Sequence, residues 1–109
     1  CIRDSANAHF RQNGKHASDH KIRKTKDIWG DFHIYSIEWN AEFIHFTFDW
    51  NRYHSFGIKK ATTPNGNPFH KPHYLILNLA LGGTWGGNID NSIFPIRYLI
   101  DYVRVYQKR

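Results

Sequence analysis

Several things are scarce in this sequence, and each scarcity excludes something. Cys1 is the single cysteine, so no disulfide can close within the chain and the redox compartment stays open. There is no methionine and the first residue is Cys1, so the chain reads as a piece of a longer product, processed or cut from an incomplete gene. No signal peptide and no internal repeat is visible. No apolar run nears the roughly 18 residues of a membrane span, so no membrane partner is expected. Segments with helical periodicity are also missing. Acidic residues number 9 against 15 lysines and arginines, a formal net charge of +6. Such an excess suggests nucleic acid, but its distribution argues otherwise. Much of it lies in "RQNGKHASDHKIRKTK" (residues 11 to 26) and in the C-terminal "RVYQKR", which read as solvated segments. No strand face interleaves basic and aromatic residues, so no nucleic-acid partner is expected. Glutamate is the scarcest charged residue: Glu38 and Glu42 are the only two.

Aromatics are plentiful at 17% of the chain, with 4 Trp, 6 Tyr and 8 Phe, and they suit strands and stacking surfaces. At 109 residues there is room for one small domain. Residues 1 to 31 are polar apart from a short apolar patch at Ala6 to Phe10, and residues 11 to 27 read as a long loop or a pair of irregular strands. "FHIYSIEW" then alternates, with Phe32, Ile34, Ser36 and Glu38 on one face and His33, Tyr35, Ile37 and Trp39 on the other. "NAE" reads as a turn, and "FIHFTF" alternates again, giving a β-hairpin. "DWN" reads as a second tight turn, with Asn51 the residue suited to positive φ and Trp50 projecting as an exposed aromatic. Residues 59 to 73 hold three of the four prolines and an Asn-Gly pair, and read as loop.

Two further strands are expected. "LILNLAL", Leu75 to Leu81, puts its four leucines on one face, for a core, and Asn78 on the other. "RYLIDYVRVYQ" alternates near the C-terminus. The loop "GGTWGGNIDNSIFP" lies between them. The reading is an antiparallel all-β chain. Four or five strands make half of a sandwich, and a sheet with one face uncovered is not a stable solution. Partner strands are therefore expected outside the chain.

Three segments, "DFHIYSIEWN", "PFHKPHYLILNLALGGTWGG" and "FPIRYLIDYVRVYQ", stand in an order and spacing that resembles the C-terminal part of glycoside hydrolase family 16, above all its laminarinase-like β-1,3-glucanases. Residues 31 to 107 carry the match. The first 30 match loosely, through "NAHF". The resemblance implies that residues 1 to 109 are the C-terminal part of one β-sandwich domain, a concanavalin-like jelly roll whose concave sheet is a cleft for β-glucan. It implies an extracellular setting. It also implies a retaining mechanism, in which two carboxylates about 5–5.5 Å apart act as nucleophile and acid/base.

The family supplies those carboxylates from one strand reading glu-x-asp-x-x-glu, and neither Glu38 nor Glu42 begins such a pattern. That strand is expected upstream, in the N-terminal part of the same domain. No catalytic residue is therefore assigned, and this polypeptide alone is expected not to hydrolyse glycan. A non-catalytic, lectin-like carbohydrate-binding piece is the alternative reading.

Four residues are candidates for substrate contact. Asn78 offers an amide to sugar hydroxyls; otherwise a neighbouring strand or water satisfies it. Trp85, in "GGTWGG", offers an indole face to a pyranose; otherwise it folds back to cap the sandwich edge. His9 resembles a histidine beside the family's catalytic centre; otherwise it is an ordinary strand histidine. Tyr35 matches a cleft tyrosine, with core packing the competing role on its face. Asp101 resembles a carboxylate that binds structural Ca²⁺ in the family, with the remaining ligands expected upstream; otherwise it is solvated or pairs with Arg104. The pairs His16–His20 and His70–His73 lack the three or four converging ligands of a zinc site.

Overall fold

A computed structural model describes residues 2–25, 28 and 30–108, with the side chains of 2, 3, 25 and 85 excepted. The described chain is all-β and antiparallel apart from single helical turns, as the alternation implied. It divides into two units, residues 1–73 and 74–109.

Among the described residues, every strand lies in the first unit. β1 (Ile2–Gln12) and β2 (Lys15–Thr25) form a hairpin in unbroken register from Ile2↔Thr25 to Gln12↔Lys15. The expected loop or irregular strands over 11–27 are thus, across the described positions, regular strands. The missed signal is Asn13-Gly14. Both residues adopt positive φ (52° and 76°), the conformation of the two-residue turns that match strand twist. The charges of the run decorate a ladder rather than a loop. Asp4, Ala6, Ala8 and Phe10 turn inward, and Asn7, His9 and Arg11 turn outward into solvent.

β3 (Tyr35–Trp39), β4 (Phe43–Phe48) and β5 (Asn51–Gly57) form a three-stranded sheet in the order β3-β4-β5. The "NAE" turn falls where alternation put it. Asn40 Oδ1 accepts from the Glu42 and Phe43 N–H groups, each at 2.8 Å. The β4–β5 turn differs from expectation in one respect. Asp49 (φ 43°) and Trp50 (φ 68°) take the left-handed positions and Asn51 does not, because Asn51 already pairs with Phe48 in the ladder. Trp50 is, as read, an exposed aromatic at 82%.

The "FHIYSIEW" strand is paired only from Tyr35. Ile34, just before it, bonds instead to Asp49: its N–H donates to Oδ1 at 2.9 Å, and its carbonyl accepts from the Asp49 N–H at 2.9 Å. A register shift between Phe46 and Thr47 leaves Tyr53 as the extra residue of β5.

The hairpin packs on the β4–β5 side of this sheet. Ala8 joins Ile44, Phe56, Ile58 and Ala61 in a buried cluster, with Phe10, Phe46 and Phe69 against it. Phe56, Ile58 and Ala61 reach 0% exposure. Residues 59–73 are less of a loop than expected. Two 3₁₀ turns, Ile58–Ala61 and Pro68–His70, are locked by Asn67. Its amide donates to the Ile58 carbonyl at 2.7 Å and to Thr62 Oγ1 at 3.1 Å, and accepts from the Phe69 N–H at 3.0 Å.

The second unit corrects two expectations. Neither Leu75–Leu81 nor the "RYLIDYVRVYQ" segment joins a sheet among the described residues; only one helical turn, Gly83–Gly86, and one 3₁₀ turn, Asn91–Ile93, interrupt the unit. The four leucines meant for a core are 40–64% exposed. A strand exists only through a partner's N–H and C=O groups, and alternation supplies none.

Candidate functional site

His9 stands on the outward face of the β1–β2 hairpin, because its neighbours Ala8 and Phe10 are drawn into the core. Opposite it on β2 is Ser18, with His16 and His20 its diagonal neighbours on the same face. His9 Nδ1 lies 3.0 Å from His16 Nε2, with ring centroids 5.2 Å apart.

Tyr35 belongs to a different surface, the face of β3 on the hairpin's side of the sheet. Its ring meets Phe48 edge-on at 5.0 Å. Tyr35 thus packs on Phe48 while remaining 57% exposed. Ile37 and Trp39, next along the face, are 58% and 39% exposed, since the hairpin covers β4 and β5 instead. Trp39 then meets His73 edge-on at 5.0 Å, beside an open concavity of about 390 Å³ whose other walls include Phe69, His70 and Lys71. His9 and Tyr35 are not brought together.

Asn78, in the second unit, is exposed. Trp85 lies on the Gly83–Gly86 turn, entered and left through Gly82 (φ 70°) and Gly87 (φ 72°), and its side chain is outside the described ones. Those two positions show why glycine flanks the tryptophan: the chain reverses there through φ values an L-residue resists. Asp101 is exposed, and the Arg104 guanidinium lies 4.3 Å above the Tyr102 ring. Among the described residues no three His, Cys, Asp or Glu side chains gather as a metal site. Asp101 alone offers too few of the roughly six to eight oxygens Ca²⁺ takes.

Several charged groups of the first unit are committed to one another. His33 Nδ1 lies 2.7 Å from Asp49 Oδ2 and stacks on Phe48 at 4.9 Å. The Ile34 N–H, and after it His33, hold the Asp49 carboxyl below the ordinary carboxylate range. Asp19 accepts from Lys60 Nζ at 2.6 Å, the contact that does most to lower its pKa. His54 Nε2 lies 3.2 Å from the other Asp19 oxygen, close enough for attraction but without hydrogen-bond alignment.

Asp4 and Arg23 face each other across the hairpin on its inner side, with the Arg23 guanidinium 4.1 Å above Phe48. Burial raises the Asp4 pKa, outweighing the attraction of Arg23. Burial and then the Asp4 charge raise the Tyr53 phenol. Glu38 Oε2 accepts from Arg52 at 3.1 Å, and Glu42 sits in the β3–β4 turn. The sequence reading missed the Asp4–Arg23 and Asp19–Lys60 pairs. Asn13-Gly14, read as a turn, would have set the β1–β2 register and shown the first of them.

Comparison with known proteins gives the arrangement a setting. The model of glycosyl hydrolases family 16 matches residues 4–104. A beta-glucanase of Rhodothermus marinus is 42% identical over 83 residues, covering 71% of this chain and 29% of the relative. The clotting factor G alpha subunit of Tachypleus tridentatus is 40% identical over 96 residues, 86% of this chain and 14% of its own. A glucan endo-1,3-beta-glucosidase A1 of Niallia circulans is 31% identical over 105 residues, 89% and 15%. The chain thus spans less than a third of the length of these relatives. No solved structure matches significantly.

Proposed function

The chain belongs to glycosyl hydrolases family 16, and on that premise we propose that it supplies glycan-holding surface to a retaining, laminarinase-like endo-β-1,3-glucanase whose cutting carboxylates it does not itself carry. One observation carries this reading. The residue types that hold sugar are here, in His9, Tyr35, Asn78 and Trp85, while the sequence has only two glutamates and no glu-x-asp-x-x-glu. Hydrolysis with retention needs two carboxyl groups about 5–5.5 Å apart, one attacking the anomeric carbon and one protonating the leaving oxygen. Glu38 is held by Arg52, and Glu42 lies in a turn, so neither is assigned such a role.

The relatives named for glucan cleavage support β-glucan as the ligand class. The reading places the catalytic strand in an N-terminal part of the same domain and the activity outside the cell. It keeps Asp101 as one ligand of a Ca²⁺ site completed from elsewhere, and no step depends on that ion.

Two assays on the purified 109-residue chain test the proposal: electrophoresis through gels containing laminarin or lichenan, and release of reducing ends from either. Retardation without turnover is the expected result. Ala at His9, Tyr35, Asn78 or Trp85, taken one at a time, is expected to relieve the retardation. Turnover by this chain alone overturns the assignment of cutting to other residues. Unretarded migration in every β-glucan overturns the glycan surface.

A further inference from the structure

We propose that His9 and His16 form a two-imidazole chelate for a divalent ion of the copper or nickel type, on the outward face of the β1–β2 hairpin. Register gives His9 two diagonal neighbours on its face, His16 and His20, and it is His16 that its ring meets. His9 is opposite Ser18 and His16 opposite Arg11, which makes the two histidines diagonal neighbours on one face. Both are exposed. Their nearest nitrogens, His9 Nδ1 and His16 Nε2, are 3.0 Å apart.

That separation is a ring-to-ring hydrogen bond, and it also lies within the reach of one ion shared by both rings. With metal–nitrogen bonds of about 2.0–2.1 Å, nitrogens 3.0 Å apart subtend about 95° at the ion. This is the cis angle of square-planar or octahedral coordination. A tetrahedral ion would want them about 3.3–3.4 Å apart. Square-planar and tetragonal nitrogen sites suit Cu²⁺ and Ni²⁺, whereas zinc in protein sites prefers the tetrahedron.

Each ring ligates as the neutral imidazole. The nitrogen now bearing the shared proton gives it, through solvent, to the other nitrogen of its own ring, so the charge balances without loss of a proton. Water fills the remaining positions. No carboxylate completes the site, because the hairpin's described carboxylates, Asp4 and Asp19, turn inward. Arg11, directly across from His16 on the same face, opposes a cation there.

Calorimetric titration of a Cys1→Ser form, which removes the competing thiol, with Cu²⁺, Ni²⁺ and Zn²⁺ tests the proposal. One ion is expected to bind, Cu²⁺ most tightly and Ni²⁺ no more weakly than Zn²⁺. His9→Gln and His16→Gln are each expected to weaken Ni²⁺ binding by about tenfold or more, and Arg11→Gln to tighten it about two- to threefold. The gain in Arg11→Gln cannot come from misfolding. His20→Gln is expected to change nothing. Tighter binding of Zn²⁺ than of Ni²⁺, equal losses in His20→Gln and His16→Gln, or unchanged affinity in either pair variant overturns the proposal.

Discussion

Residues 35–57 and the segments 75–81 and 97–107 carry the same kind of pattern, apolar side chains at every second position, and the outcomes are opposite. In the first stretch "FIHFTF" finds β3 on one side and β5 on the other, and Ile44 and Phe48 fall to 6% and 2% exposure. In the second, "LILNLAL" has as good an alternation and pairs with nothing among the described residues, and Leu77 stays 48% exposed. Alternation settles which side chains share a face. It does not supply the neighbouring backbone that makes a strand. Where a short turn brings that neighbour, at Asn40–Glu42 or Asp49-Trp50, the local sequence is enough.

This contrast can be broken or sharpened by substitution, with urea unfolding as the measurement. The largest effect is expected from Phe56→Ala, a fully buried ring at the centre of the first unit, at about 3–5 kcal/mol of lost stability. A loss under about 1 kcal/mol would show that the first unit has no tight core.

Asn67→Ala comes next, at about 1–3 kcal/mol, because it strands the Ile58 carbonyl and the Phe69 N–H. An unchanged midpoint would mean that the two 3₁₀ turns hold without it. Trp50→Gly is expected to raise stability by about 1 kcal/mol, since the tryptophan makes the β4–β5 turn at φ 68°. A destabilised Trp50→Gly would mean the exposed indole has a packing role.

Smaller effects come from pH, because partly exposed charges are screened. Asp49 has a lowered folded pKa, so its contribution is present above the unfolded value of 3.8 and lost as pH falls through the folded one. Asp49→Asn should flatten the acid limb of a stability–pH profile. Asp4, with a raised folded pKa, has the opposite sign: its contribution is present below 3.8 and lost as pH rises through the folded value. Asp4→Asn should therefore steepen the limb that Asp49→Asn flattens. The same direction in both variants would contradict the burial of Asp4.

The smallest change is expected from Leu77→Asn, within about 0.5 kcal/mol, as for other exposed positions. A loss of about 2 kcal/mol or more there would show that the leucine face is covered after all, and the two regions would no longer differ.

The sequence by itself determined a good deal. The period of two made the chain all-β, "NAE" and "DWN" placed two turns, and three motifs in register carried the family. All of these are local or linear features, set by side-chain direction and turn chemistry within a few residues. The tertiary structure decided the rest. It gave β1 and β2 a regular ladder where charge suggested loop, because Asn13-Gly14 closes a hairpin whatever the charges on it. It set Asp4 against Arg23 and His9 beside His16, pairs that exist only once register is fixed. It placed Asn67 under two turns, and among the described residues it gave Leu75–Leu81 no strand partner. Contacts between residues distant in sequence depend on which backbones meet, and no single segment's pattern contains that information.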